Sequence, residues 1–225
     1  MNKEMMTSKE MIAKRAAAEL KEGSIINLGI GIPTLVSKYI DSESIHFHTE
    51  NGLLGVTELV DESAYDPLRV NAGKLPVDEG IGASYFDSAT SFGMIRGAHV
   101  DVAILGALQV DGDGLIANWA IPGKNIMGVG GAMDLLVGAQ KIIVTTNHVN
   151  KKGEAKLVEK CTYPITSNRI VDMIITDFAV FEQRDGKWHL AELMNDTTLE
   201  QVEEHTEFTF EIDESVRTNQ TKGVE

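Results

Sequence analysis

Ile25-Ile26-Asn27-Leu28-Gly29-Ile30-Gly31-Ile32-Pro33-Thr34 decides the architecture. The short apolar start suits a strand, being too brief for a buried helix. Two glycines then end it. Pro33 suits the first turn of a following helix, where its missing N–H costs nothing. That helix is predicted over residues 34–40. Upstream, another helix is predicted over residues 8–22. Thr7 and Glu10 have capping-box spacing, and Met11, Ile12, Ala16 and Leu20 form an apolar stripe. Gly23 stands where a helix end favours glycine. The chain therefore opens as helix, strand, glycine loop, helix.

Working outward, Ile45, Phe47 and Thr49 alternate with His46 and His48, a strand pattern running into the turn signal Glu50-Asn51-Gly52. Residues 58–80 are acidic and irregular and read as loops around Asn71-Ala72-Gly73-Lys74. Apolar runs at 100–105, 141–146 and 173–176 read as buried strands. Residues 111–131 hold six of the 21 glycines and read as a long loop region, with a helix over 133–137. Residues 178–182 and 188–190 flank Asp185-Gly186, a hairpin signal. Asp196 or Thr197 is placed to cap a helix reaching Glu204, and Phe208 and Phe210 predict a last short strand. Residues 214–225 are polar and read as a flexible C-terminal tail. Strands alternating with helices over residues 1–213 predict a single α/β domain. Its largely parallel central sheet is flanked by helices and carries an added β-hairpin.

The formal net charge of -14 argues against nucleic acid or an anionic membrane surface as partner. It leaves room for a phosphorylated cofactor, because local cations or backbone amides can hold phosphate on an acidic protein. The one cysteine, Cys161, permits no intrachain disulfide and fits a reducing compartment. The first ten residues lack the apolar centre of a signal peptide, and no stretch approaches the roughly 18 apolar residues of a membrane helix. The expectation is a cytoplasmic protein.

Three features carry chemistry. The loop Gly29-Ile30-Gly31-Ile32-Pro33 lies between a strand and a helix, where backbone amides can face an anion. It lacks the third glycine of a dinucleotide fingerprint and the lysine of a P-loop. It is either a tight turn or an oxyanion-facing loop. The run Gly128-Val129-Gly130-Gly131-Ala132-Met133-Asp134 places three glycines before a helix, either as a permissive loop or to let a ligand approach the backbone. Glu50 ends a strand, where ligand sites gather in α/β sheets. It is either a solvated turn residue or a carboxylate able to attack a carbonyl. His46 and His48 share a strand but have no third ligand or cysteine pair nearby, so packing or surface roles are expected over a metal site. Structural roles are also expected for Cys161, Arg96, His99 and Trp119.

Phe47-His48-Thr49-Glu50-Asn51-Gly52-Leu53-Leu54-Gly55 resembles the active-site signature of family I coenzyme A transferase β subunits, with Thr49 where that family usually has serine. Further segments resemble the same family in the same order. They are the 27–34 loop, Asn71-Ala72-Gly73-Lys74, Met94-Ile95-Arg96-Gly97-Ala98-His99-Val100-Asp101, Ala117-Asn118-Trp119-Ala120-Ile121-Pro122-Gly123-Lys124, the 128–134 run and Cys161-Thr162-Tyr163-Pro164-Ile165-Thr166. The likeness spans about residues 10–212 and is nearest to the β subunits of the acetoacetate and 3-oxoacid transferases. It implies a NagB/RpiA/CoA-transferase-like fold and ping-pong transfer of coenzyme A between short-chain acids through a glutamyl-CoA thioester. Glu50 is the implied nucleophile and Gly131 an oxyanion donor. Gly29, Gly31, Asn51, Lys74 and Gly130 are the implied binding residues. Acyl-CoA is implied as co-substrate with no metal or permanent cofactor, and an α subunit is implied as partner, in an α2β2 assembly. Glu50 is expected to stay reachable by solvent. Two other readings use the same scaffold: a sugar-phosphate isomerase-like enzyme, and a non-catalytic ligand sensor.

Overall fold

A computed structural model describes residues 6–40, 43–58, 66–124, 126 and 128–216. These residues group into two compact units. The first holds residues 13–106 and 130–142. The second holds the chain start up to Ile12, residues 107–129 and everything from Ile143 onward. Within each unit parallel strands adjoin antiparallel ones, and helices connect them, as expected of an α/β protein.

In the first unit, β1 (Ile25–Leu28) lies between β2 (His46–Thr49) and β5 (Val102–Gly106), parallel to both. Two strands that the sequence reading missed extend the sheet, β3 (Leu53–Glu58) antiparallel to β2 and β4 (Val77–Tyr85) antiparallel to β3. Val102, Ala103, Ile104 and Leu105 are all buried, as a parallel strand covered on both faces requires. Ile26 and Ile104 are fully enclosed, each contributing about 1.5–3 kcal/mol of transfer free energy.

β4 was unread because Asp78, Glu79, Gly80 and Gly82 hide any alternation. Its ladder is also broken. Ser84 pairs with Leu54 and Glu79 with Val56, so residues 80–83 stand opposite Gly55 alone. Gly55 and Gly82 take positive φ in this bulge, and Ile81 is wholly exposed on it.

The helix α1 (Ser8–Ala17) begins with the expected box. The Thr7 amide donates to Glu10 Oε2 at 2.8 Å, and the Glu10 amide to Thr7 Oγ1 at 3.3 Å. Pro33–Tyr39 forms a 3₁₀ helix instead of the expected α-helix. The Thr34 and Ser37 hydroxyls donate to the Gly31 and Thr34 carbonyls three residues back, which fits the tighter winding.

A helix absent from the sequence reading, α2 (Ser88–Arg96), starts at Asp87, whose side chain accepts from the Thr90 amide at 2.7 Å. That bond holds the Asp87 carboxyl below its usual range. Helix α3 (Ala132–Gly138) packs against α2 at a point where only glycine fits: a Cβ on Gly138 would fall 2.2 Å from the Ile95 carbonyl oxygen. Arg96 Nε reaches Asp134 Oδ1 at 2.6 Å across the same pair.

The second unit pairs β8 (Lys141–Thr145) with β10 (Met173–Ile175) in parallel, then adds the predicted hairpin of β11 (Ala179–Arg184) and β12 (Lys187–Leu193). The last strand, β13 (Phe210–Ile212), runs parallel to β12. A small sheet joins β6 (Gln109–Asp111), β7 (Ile116–Ala117) and β9 (Leu157–Val158), and β7 lies within the 111–131 region read as loop. Phe181 and Trp188 fill the core, with Phe208 stacked on Trp188. Helix α4 (Leu199–His205) is capped by Thr198, not by Asp196 or Thr197, in a capping box with Gln201. Of the expected tail, residues 217–225 lie outside the described residues, while 214–216 form a helical turn with Val216 buried.

Substituting Gly138→Ala forces α2 and α3 apart. We expect a loss of about 1–3 kcal/mol, read as a lower midpoint in chemical denaturation.

Candidate active site

Glu50 is the first residue of the turn after β2 and is half-buried. The turn is tied down on both sides. The Gly52 amide donates to the Thr49 carbonyl at 3.0 Å, and the Phe86 amide donates to the Gly52 carbonyl at 3.0 Å. Gly52 has φ +117, and a Cβ there would fall 2.1 Å from the Phe86 carbonyl oxygen. No other residue fits. Asn51 donates through Nδ2 to the Val70 carbonyl at 2.8 Å, drawing the 66–76 loop to the turn.

The Glu50 side chain lies against Gly131. A Cβ on Gly131 would stand 3.2 Å from Glu50 Cγ and 3.3 Å from Oε1. Gly131 is the N-cap of α3, with its carbonyl accepting from the Leu135 amide. Gly130 before it takes φ +59. The two elements that the sequence marked separately, at positions 50 and 131, therefore meet.

The glycine loop follows β1. The Gly29 amide donates to the Ile104 carbonyl at 2.8 Å, and a Cβ on Gly29 would lie 3.1 Å from that oxygen. Gly31 takes φ +99, and Ile30 beside it is exposed. Gly73 approaches Ile30 Cγ1, so the loop and the Asn71–Lys74 segment adjoin. Lys74 sits at the tip with φ 61 and an exposed side chain, its amide donating to the Asn71 carbonyl. A cavity of ≈ 470 Å³ lies between these segments and β2, lined by Leu28, Thr34, Phe47, Thr49, Asn71 and Val77 among others.

Behind Glu50 is a buried polar group that sequence reading missed. Asn27 Nδ2 lies 3.2 Å from the His48 carbonyl oxygen and 3.1 Å from His48 Nδ1, while His48 Nε2 lies 3.0 Å from Ser91 Oγ. A carbonyl only accepts, so the Asn27 amide nitrogen is fixed as donor. Nδ1 therefore accepts, and the ring proton sits on Nε2 and is donated to Ser91. Burial pushes the His48 imidazole down to about 4, so it stays neutral. His48 also stacks on Phe86. Asn27 Oδ1 and Thr49 Oγ1 are buried without a hydrogen-bond partner among the described residues. Asn27 was the available signal: an amide in the middle of a short apolar strand.

The other marked residues lie elsewhere. His46 is exposed, away from the bonds of His48. Among the described residues no three His, Cys, Asp or Glu side chains gather as a metal site. Burial pushes the Cys161 thiol up to about 12, and its Sγ faces the Leu115 carbonyl. Arg96 pairs with Asp134, and Trp119 Nε1 points to the Ile165 carbonyl. No helix among the described residues is long and apolar enough to cross a membrane.

Residues 9–205 match the coenzyme A transferase family. The chain is 50% identical over 204 residues to one of the subunits of succinyl-CoA:3-ketoacid coenzyme A transferase from Helicobacter pylori, covering 91% of this chain and 99% of that one. It is 45% identical over 209 residues to the β subunit of acetate CoA-transferase from Escherichia coli, covering 92% and 95%. A crystal structure of an acyl-CoA transferase from Escherichia coli O157:H7 superposes with a TM-score of 0.75 at 22% identity, over 93% of this chain and 42% of that one. This chain belongs to the coenzyme A transferase family.

His48 and His148, a second buried imidazole, are both held near 4, below the ordinary value of 6.5. The unfolded chain therefore binds more protons than the native one between those values, and stability falls as pH drops from about 6.5 to 4. We expect a loss on the order of 2–3 kcal/mol per histidine, and denaturation midpoints at pH 7 and pH 5 measure it. His148→Gln should flatten the dependence.

Proposed function

We propose that this chain is the β subunit of an acyl-CoA:carboxylate CoA-transferase, with Glu50 as its covalent nucleophile. The observation that carries the reading is the Glu50 side chain lying against Gly131, where any side chain would crowd the carboxylate. A glycine at a helix N-cap beside a half-buried carboxylate leaves room for a substrate carbonyl and brings backbone near the oxygen that becomes charged.

In this reading a Glu50 carboxylate oxygen attacks the thioester carbonyl carbon of an acyl-CoA. The C–S bond breaks, giving an acyl-glutamyl anhydride and CoA thiolate. The thiolate attacks the Glu50 carbonyl carbon, the anhydride C–O bond breaks, and the first acid leaves as its carboxylate. Glu50 now carries CoA as a thioester. A second carboxylate reverses these steps and departs as its CoA ester. Each addition passes through a tetrahedral oxyanion, where one aimed donor supplies about 3 kcal/mol. We assign that donor to the Gly131 amide, with a further one from the partner subunit.

Gly29, Gly31, Asn51, Lys74 and Gly130 shape the cleft, and the exposed Lys74 meets a substrate carboxylate or a CoA phosphate. The acids are short-chain ones, a reading supported by relatives named for a 3-ketoacid and for acetate. Both relatives are named as single subunits of their enzymes, the acetate one as β, which supplies the α partner. The enzyme works in the cytoplasm, consistent with its lone cysteine.

The test is covalent. An αβ complex given an acyl-CoA alone should gain the mass of CoA on the peptide containing Glu50, and Glu50→Ala should abolish both adduct and turnover. A variant with intact exchange would sink the assignment. Gly131→Ala should keep the fold yet lower kcat by about tenfold to a hundredfold, the scale of a misplaced reactive group, in a steady-state exchange assay.

A further inference from the structure

We infer that His48 is a positioning residue for Glu50, acting as the centre of a buried Asn27–His48–Ser91 relay. The inference rests on the reading of Glu50 as nucleophile and adds the device that aims it.

The relay grips the strand end at both backbone and side chain. Asn27, opposite His48 in the β1–β2 register, donates to the carbonyl of residue 48, two peptide units before Glu50. The same amide donates to the imidazole, and the imidazole donates onward to Ser91 on α2. From α2 the grip closes into a ring. Phe86 lies just before its N-cap Asp87 and binds Gly52 through its amide, on the far side of Glu50. Residues 48 and 52 are thus both fastened to the start of one helix, with the carboxylate between them.

The same helix sets the other wall. Its C-terminal turn meets α3 at Ile95–Gly138 and Arg96–Asp134, and Gly131 is the N-cap of α3. Helix α2 therefore fixes both the turn bearing Glu50 and the helix end that the carboxylate faces.

A core asked only for stability does not need this arrangement. Apolar residues of the same shape in place of a buried polar cluster are often neutral or better. Here the amide oxygen of Asn27 is buried with no hydrogen-bond partner among the described residues, which costs stability. The arrangement instead gives direction, because each ring nitrogen has one partner and the imidazole has one orientation. A shift of about 1 Å at a reacting atom can lower a rate about a hundredfold.

The test uses the αβ complex and acetoacetyl-CoA with succinate. His48→Gln keeps an acceptor for Asn27 and a donor for Ser91, and should stay within about threefold of the parent. His48→Phe keeps a ring on Phe86 and loses both bonds. It should lose about tenfold or more in kcat, with KM within about twofold, and load CoA on Glu50 slowly but to the full extent. Ser91→Ala cuts only the outer bond and covers the case in which His48→Phe does not fold; it should lower kcat several-fold at unchanged KM. Parent-like loading by His48→Phe or by Ser91→Ala overturns the inference while leaving Glu50 as nucleophile. An equal fall in His48→Gln and His48→Phe also overturns it. A parent complex that loads no CoA on Glu50 overturns both readings.

Discussion

The first unit is organised around a contact that any side chain would crowd, the approach of Glu50 to Gly131. Everything near it serves that closeness. Gly52 allows the turn to double back under the Phe86 carbonyl, and Gly138 lets α3 lie directly on the backbone of α2. Three glycines, two where a methyl group would collide with backbone and one where it would crowd Glu50, hold two helices and a strand end within reach of one carboxylate. Such packing is stiff, because a close-packed interior has no room in which to relax.

Much of this was legible in the chain. The strand over 25–28, the turn at 50–52, the helix after Gly131 and the hairpin at Asp185-Gly186 all stand where local chemistry put them. Glu50 and Gly131 were marked by the resemblance, and no spacing rule joins positions 81 residues apart; only the folded chain brings them together.

The misses have physical causes. Helix α2 carries Gly93 and few strong helix formers, so propensity hid it, and its local signals were the cap at Asp87 and the Arg96-Gly97 end. The 3₁₀ winding after Pro33 depends on hydroxyls bonding three residues back, a choice that periodicity does not register. Ser91 gave no sign of its role, and Asn27 only its place in an apolar strand, because both meet His48 through the fold and not through any local spacing. The β3–β4 pair was concealed by its own irregularity, glycine and acid residues standing where alternation was sought.

That irregularity matters for how the protein meets other chains. An uninterrupted outer strand offers a row of free amides and carbonyls to any passing strand. β4 cannot do so along its length, because Gly80 to Ala83 leave the ladder midway and thrust Ile81 outward. Sheet growth across this border is thereby blocked, and whatever settles on it must engage side chains, a mode of contact that discriminates among neighbours where main-chain pairing does not.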